Sequence, residues 1–358
     1  MARNLYIHFP FCRRKCSYCA LHSRAGVSAA DRAAYVAALV RAVAQSSDLS
    51  RGGLSTIYFG GGSPALCDLA PLLDTLAPLR ADDCEFTVEL HPLDVTPALL
   101  DTLRTGGVNR ISMGVQSLDD GILAHMGRGY TFAEAERAFL LVRERFENAG
   151  IDLIVGYPGE TGALIPRHAR LAKWGLAHCS AYSLILEERT LLHRLTHGPQ
   201  PLALPDDDTT MNRLRILAAF LHDLGLERYE ISNYARPGRE CRHNLATWRG
   251  EDYCGLGFGA HGRIGLTRTQ NLMGDLPGDA FRWGLAPSVE TVDAATDAKE
   301  RTLFRLRTRD GLDAAGHDEW LPALTEFVTE GLLTQDGTTY RLTPRGAEVC
   351  DTILAALV

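Results

Sequence analysis

Cys12, Cys16 and Cys19 stand within the eight residues CRRKCSYC. A closed zinc site takes four ligands, and a disulfide takes cysteines in pairs. Thiolates also hold iron–sulfur clusters. Three thiolates on a four-iron cluster leave one iron without a protein ligand, and that iron can chelate a small molecule through an amine and a carboxylate. The alternative is a zinc knob, with His8 or His22 as the fourth ligand.

Other chemistry-bearing residues follow at the ends of apolar runs. YFGGGSP (58–64) closes a strand-like segment with three glycines, which allow positive φ and close backbone approach to a ligand. The same run can equally be only a turn. Glu89 ends the strand-like CEFTVEL. In a barrel-like sheet, a carboxylate at the C-terminal end of a strand reads as functional, and as a solvated charge otherwise. NRISMGVQSLDDGILAHMGRGYT (109–131) carries Gln116 and Arg128, the latter able to fork onto a carboxylate or to lie idle on the surface. Asp152 stands in IDLIVGYPGE, and His243 and Trp248 in CRHNLATWRGEDYCGLGFGAHGRI.

These residues need a frame to bring them together. Over the first ~265 residues, short apolar runs alternate with helical patterns about six times, from NLYIHF to HCSAYSLIL. Alternating β and α units predict a parallel sheet covered by helices. Six units predict an open, partial (β/α)6 barrel of the TIM type rather than a full eight-fold one. The helix SAADRAAYVAALVRAVAQS has an N-cap candidate in Ser28. Residues 266–297 show no clean period and read as a linker. Residues 298–358 give helix, helix, short hairpin, helix, which predicts a small winged-helix-like α+β module.

Bulk properties narrow the function. The chain has 358 residues, 46% of them apolar, enough for a large core. Its formal charge is −7, from 37 basic and 44 acidic residues. Phosphate binding needs concentrated Lys and Arg, so nucleic acid is not expected as a partner, and the C-terminal module reads as a packing or interaction unit. Lysine occurs only at Lys15, Lys173 and Lys299. Nine cysteines, an odd count, fit a reducing compartment better than a disulfide framework. Cys67, Cys84, Cys179, Cys241, Cys254 and Cys350 show no ligand spacing and read as core or incidental. MARNLYIHFPF lacks the marks of a signal peptide. No segment reaches the ~18 apolar residues of a membrane span. A cytoplasmic protein is the expectation.

The C-x3-C-x2-C spacing, with Tyr18 before the last cysteine, resembles the radical S-adenosylmethionine (radical SAM) superfamily. GGGSP is similar to its glycine-rich SAM segment, and RISMGVQS…MGRGYT resembles the coproporphyrinogen III oxidase-like branch, the HemN/HemW group. The resemblance covers nearly the whole chain. It implies a [4Fe–4S] cluster on Cys12, Cys16 and Cys19. It also implies SAM contacts at Tyr6, Tyr18, Gly61, Gly62, Ser63, Glu89, Gln116, Arg128 and Asp152. In that superfamily the reduced cluster cleaves SAM to a 5′-deoxyadenosyl radical, and flavodoxin or ferredoxin is the kind of reductant implied.

Within the branch, the oxidases carry an N-terminal extension and a further cysteine where this chain has Leu21. Both departures are similar to the HemW type, regarded as heme chaperones that pass heme to acceptor proteins. HNLATW matches the HemW pattern H-N-x-x-Y-W except for Thr247, and the following GxGxGAHS-like run ends in Gly262. His243 is then the candidate heme contact, since imidazole is a common axial ligand; a core histidine is the alternative. Trp248 would stack on a porphyrin or fill the core. His91 in ELHP replaces an asparagine usual in the type. Two rival readings remain open: oxidative decarboxylation of coproporphyrinogen III, and a two-SAM enzyme such as a methyltransferase. Whether the chain is an enzyme at all stays open at this point.

Overall fold

The computed structural model describes residues 1–51, 53–160, 169–271 and 288–358. Strands β1 (Asn4–Phe9), β2 (Leu54–Gly61), β3 (Arg80–Leu90), β4 (Arg110–Gln116), β5 (Asn148–Val155) and β6 (His178–Ser183) lie side by side in that order. Every neighbouring pair is parallel. Helices α1 (Ala29–Gln45), α2 (Ala70–Leu76), α3 (Pro97–Thr105), α4 (Asp120–Met126) and α5 (Phe132–Arg143) fill the crossovers. Ser28 caps α1 as expected, its side chain accepting from the backbone N–H of Asp31. Helix α6 (Asp207–Asp223) follows β6.

Period-two alternation in the strands decides which face meets what. Leu5, Ile7 and Phe9 of β1 are fully buried and share one core with Tyr35, Leu39 and Val43 of α1 and with Ile57 and Phe59 of β2. The other parity of the same strands carries Asn4, Tyr6, His8, Thr56, Tyr58, Thr87, Glu89, Arg110, Ser112 and Asp152. The sheet is thus apolar towards its helices and polar on its concave side, where a ligand site belongs.

The expected six-unit partial barrel is present, and it has an extra strand. Strand β7 (Tyr253–Leu256) adds to the free edge of β1 in parallel, giving seven parallel strands. It comes from the histidine-bearing stretch, whose short helix α7 (Arg242–Trp248) precedes it. The sheet then continues antiparallel through His261–Ile264, Thr267–Gln270 and Ser288–Thr291, and its two edges do not meet. The stretch read as a linker therefore carries a strand at each end; its middle, 272–287, lies outside the described residues. Those strands are short and half-buried or exposed, so no apolar alternation marked them. The stretch ARLAKWGL before β6 carries a 3-10 turn, Ala172–Trp174.

The last residues form a unit with its own core of Leu303, Leu306, Leu312, Trp320, Leu324, Tyr340 and Ile353. Helices Ala294–Arg305 and Leu321–Thr329 flank a three-stranded sheet built on the hairpin Leu333–Asp336 and Thr339–Leu342. Among the described residues, no helix is long and apolar enough to cross a membrane.

Candidate functional site

The C-terminal ends of the strands surround a cavity of ≈ 540 Å³. Cys12, Cys16 and Cys19 line it together with Tyr18, Gly61, Gly62, Ser63, Glu89, Gln116, Arg128 and Asp152. All nine cysteines are unbonded, and these three are only half-buried while the other six are buried. Among the described residues, no three His, Cys, Asp or Glu side chains are drawn around one point closely enough to hold a single metal ion. His8 is turned away from the cysteines, its ring bonded to the Tyr6 hydroxyl at 3.0 Å and the His22 carbonyl at 2.7 Å.

The cysteine loop is held from several sides. Phe11–Cys12 pairs with Arg24–Ala25. The backbone N–H of Ser17 donates to the Met126 carbonyl at 3.0 Å, and its hydroxyl meets that of Tyr157 at 2.9 Å. Lys15 Nζ donates to the Leu21 carbonyl and the Ser23 hydroxyl at 2.6 and 2.9 Å. Tyr18 also packs on the small apolar cluster of Ile122, Met126, Tyr157 and Leu192.

Glycine is required at two neighbouring positions of β2 and its turn. Gly61 has φ +104°, and a Cβ there would press into the His8 ring. At Gly62 a Cβ would collide with the carbonyls of Phe9 and Phe11. The glycine turn therefore serves close packing against the segment that leads into the cysteines. Gln116 ends β4 at φ +68°, a conformation rare for a side-chain-bearing residue.

Charges on the cavity wall are fixed by hydrogen bonds. Glu89 accepts from the Tyr58 hydroxyl at 2.8 Å and from the Gly61 N–H at 3.1 Å. Burial, then the nearby Asp152 charge, pushes its pKa up to about 7. Asp152 is also raised, by burial, and accepts from the Ser112 hydroxyl at 3.0 Å. Arg128 spreads three donors over the Tyr130 hydroxyl (2.9 Å), Cys16 Sγ (3.3 Å) and the Gly114 carbonyl (2.7 Å). His91 faces Tyr130 edge-on at 5.1 Å, and burial followed by the Arg128 and Arg13 charges lowers it to about 3.

Tyr6 is not part of this cavity. It faces the concave side at a lower level, in register with Tyr58 and Gly255, and lines a second cavity of ≈ 420 Å³ with His8, His22, His243, Thr247 and His261. Ala20 and Leu21 line both cavities and form the wall between them. His243 is 6% exposed, and burial, then the Arg110 charge, lowers its pKa to about 4. Trp248 points elsewhere, against Phe304 and Arg307 of the C-terminal unit. Sequence reasoning passed over Asp94, a buried carboxylate that accepts from both Arg13 and Ser63 and so ties the cysteine loop to the glycine turn. Its only signal was its place just after His91, in HPLD.

The sequence profile of the Radical SAM superfamily matches residues 6–172. The heme chaperone HemW of Mycobacterium tuberculosis is 34% identical, over 99% of this chain and 94% of its own length. The chain belongs to the HemW family. The heme chaperone HemW of Escherichia coli is 31% identical over 98% of this HemW-family chain and 97% of its own. Coproporphyrinogen III oxidase (HemN) of E. coli, 22% identical, superposes with a TM-score of 0.82 over 99% of this chain and 89% of that one, which establishes the shared α/β radical SAM fold. Membership implies SAM and a [4Fe–4S] cluster as cofactors. The cavity fits them in the chemistry of its donors: three accessible thiols, a glycine turn, an arginine fork and two carboxylates.

Proposed function

We propose that this HemW-family protein is a heme chaperone that binds heme at His243 and delivers it to acceptor proteins. In this reading Cys12, Cys16 and Cys19 hold the [4Fe–4S] cluster. Tyr18, Gly61, Gly62, Ser63, Glu89, Gln116, Arg128 and Asp152 receive SAM beside it. Bound together, cluster and SAM supply one-electron reductive chemistry, with a reductant such as flavodoxin or ferredoxin. Arg128 offers a fork to the SAM carboxylate, and Glu89 offers an anchored carboxylate. Residues 1–265 act as the core, 266–297 as the connection and 298–358 as the accessory module.

The observation that carries the heme reading is the end-to-end similarity, at 31–34% identity, to proteins named heme chaperone. The position of His243 supports it: a neutral imidazole on the wall of a cavity separate from the cysteines. Tyr6 lies beside that histidine, its ring 6.3 Å from the imidazole, and lines the same cavity.

Anaerobic reconstitution tests the proposal. The protein with heme should give a stable Soret band that His243→Ala loses. The protein with SAM, reductant and coproporphyrinogen III should give no protoporphyrinogen. Substrate-dependent decarboxylation would overturn the chaperone reading in favour of an oxidase, and S-adenosylhomocysteine among the products would favour a methyltransferase.

A further inference from the structure

The imidazole of His243 is gripped through one nitrogen by a chain of hydrogen bonds that starts two strands away. The Asn4 amide Nδ2 donates to the Asp252 carbonyl at 3.0 Å and to the Glu251 carboxylate at 3.3 Å. Both partners only accept, so the amide has one orientation and its Oδ1 faces Thr56. Oδ1 also only accepts, so the Thr56 hydroxyl spends its single proton on it, at 2.9 Å. What Thr56 then presents to His243 Nδ1, 2.8 Å away, is a lone pair. Nδ1 must therefore be the protonated nitrogen. Nε2 has no hydrogen-bond partner among the described residues, and the ring lines the ≈ 420 Å³ cavity.

The rest of the surroundings holds the ring in place. Asn4 and Thr56 sit opposite each other on β1 and β2. The Glu85 carboxylate accepts the backbone N–H of Arg242 and of His243 at 3.0 and 3.1 Å, which pins the start of α7 to β3. The Tyr58 and Tyr6 rings lie 5.2 and 6.3 Å from the imidazole, tilted by 35° and 31°.

We propose that Asn4 and Thr56 are positioning residues for heme capture: their hydrogen-bond relay fixes His243 as the Nδ1–H tautomer and so presents Nε2 as the atom that ligates the heme iron. The proposal rests on the reading of His243 as the heme ligand and adds the residues that prepare it. An unprepared neutral imidazole divides its proton between both nitrogens, and a metal must first displace it from the ligating one. A partner fixed on the far nitrogen removes that competition, and losing such a partner typically costs 10–100-fold in metal affinity.

The test uses full-length protein and two readouts. In heme-free protein labelled with ¹⁵N-histidine, the ring nitrogens of His243 should show Nδ1 protonated and Nε2 bare. Thr56→Val keeps the side-chain shape and removes the hydroxyl; it should shift the ring towards the Nε2–H form. Asn4→Ala, which frees the Thr56 proton to donate to Nδ1, should do the same. Thr56→Ser should behave as the parent. In heme titrations followed by Soret absorbance, Thr56→Val should weaken binding about 10–100-fold, with Thr56→Ser rescuing it. An unchanged tautomer in both Thr56→Val and Asn4→Ala overturns the relay. A changed tautomer with unchanged heme affinity overturns its role in capture. Unaltered heme binding by His243→Ala would instead overturn the ligand reading, while the ¹⁵N pattern would still report on the relay by itself.

Discussion

Replacing Glu89 by glutamine tests the electrostatics of the larger cavity. Burial and Asp152 raise the Glu89 carboxyl from 4.5 to about 7. Between those values the folded protein binds a proton there that the unfolded chain does not. Glu89 thus favours folding most below about pH 4.5, and that contribution is lost as the pH rises through 7. At 1.36 kcal/mol per pKa unit the full effect is ~3 kcal/mol. The carboxylate lines a cavity open to water, and solvent screening brings this to about 1–2 kcal/mol. The substituted amide carries no charge at any pH but gives up one acceptor, leaving either the Tyr58 hydroxyl or the Gly61 N–H to be re-paired, at a cost of about 1 kcal/mol. Glu89→Gln should therefore be the less stable protein near pH 5 and the more stable one near pH 8. Urea unfolding of the metal-free protein, followed by circular dichroism across that range, gives the difference directly. Asp152→Asn, which removes the second cause of the shift, should move the transition to lower pH. A gap between Glu89→Gln and parent that stays constant from pH 5 to 8 would refute the argument.

Substitutions at three further residues probe the same wall. Cys16→Ala should lose the iron–sulfur absorbance and most of the bound iron; full iron content would remove the cysteine loop from the cluster reading. Arg128→Ala gives up a charged fork, which at about 1.5–3 kcal/mol corresponds to roughly 10–100-fold in SAM affinity by anaerobic calorimetry. Arg128→Lys should not restore it, because one ammonium cannot span the Tyr130, Cys16 and Gly114 acceptors. Asp94→Asn breaks the bond from Arg13 and weakens that from Ser63 at a buried site. It should cost about 1–3 kcal/mol of stability in urea unfolding and lower the iron retained per chain after reconstitution.

The parallel core was legible because its strands are short apolar runs between helical patterns, and helix α1 begins at a readable cap, Ser28. The seventh parallel strand was not legible: YCGL is four residues long and carries no alternation. The grouping of cysteines, glycine turn, Glu89, Gln116, Arg128 and Asp152 on one wall follows largely from a simple rule. The cysteines, the glycine turn, Glu89 and Gln116 stand at or just after the C-terminal end of a strand, and parallel strands put those ends on one side; Asp152 reaches the wall from within β5 and Arg128 from the turn after α4. Tyr6 stands mid-strand on β1 and lines the histidine cavity. Asp94, Thr56 and Asn4 were hard to see as site residues, since their roles depend on partners 31 to 248 residues away.

Leu21 has a different meaning in three dimensions than in the motif. In sequence it marks the absence of a cysteine that the oxidase type carries. In the fold it is 52% exposed and stands, with Ala20, between the cysteine cavity and the histidine cavity. Its backbone carbonyl is held by Lys15, two residues beyond which the cysteine loop continues into Ser17, anchored on α4. The loop that carries the thiols therefore also supplies the wall facing His243. The cysteine cavity and the histidine cavity thus share a boundary built from two apolar residues of that loop, Ala20 and Leu21.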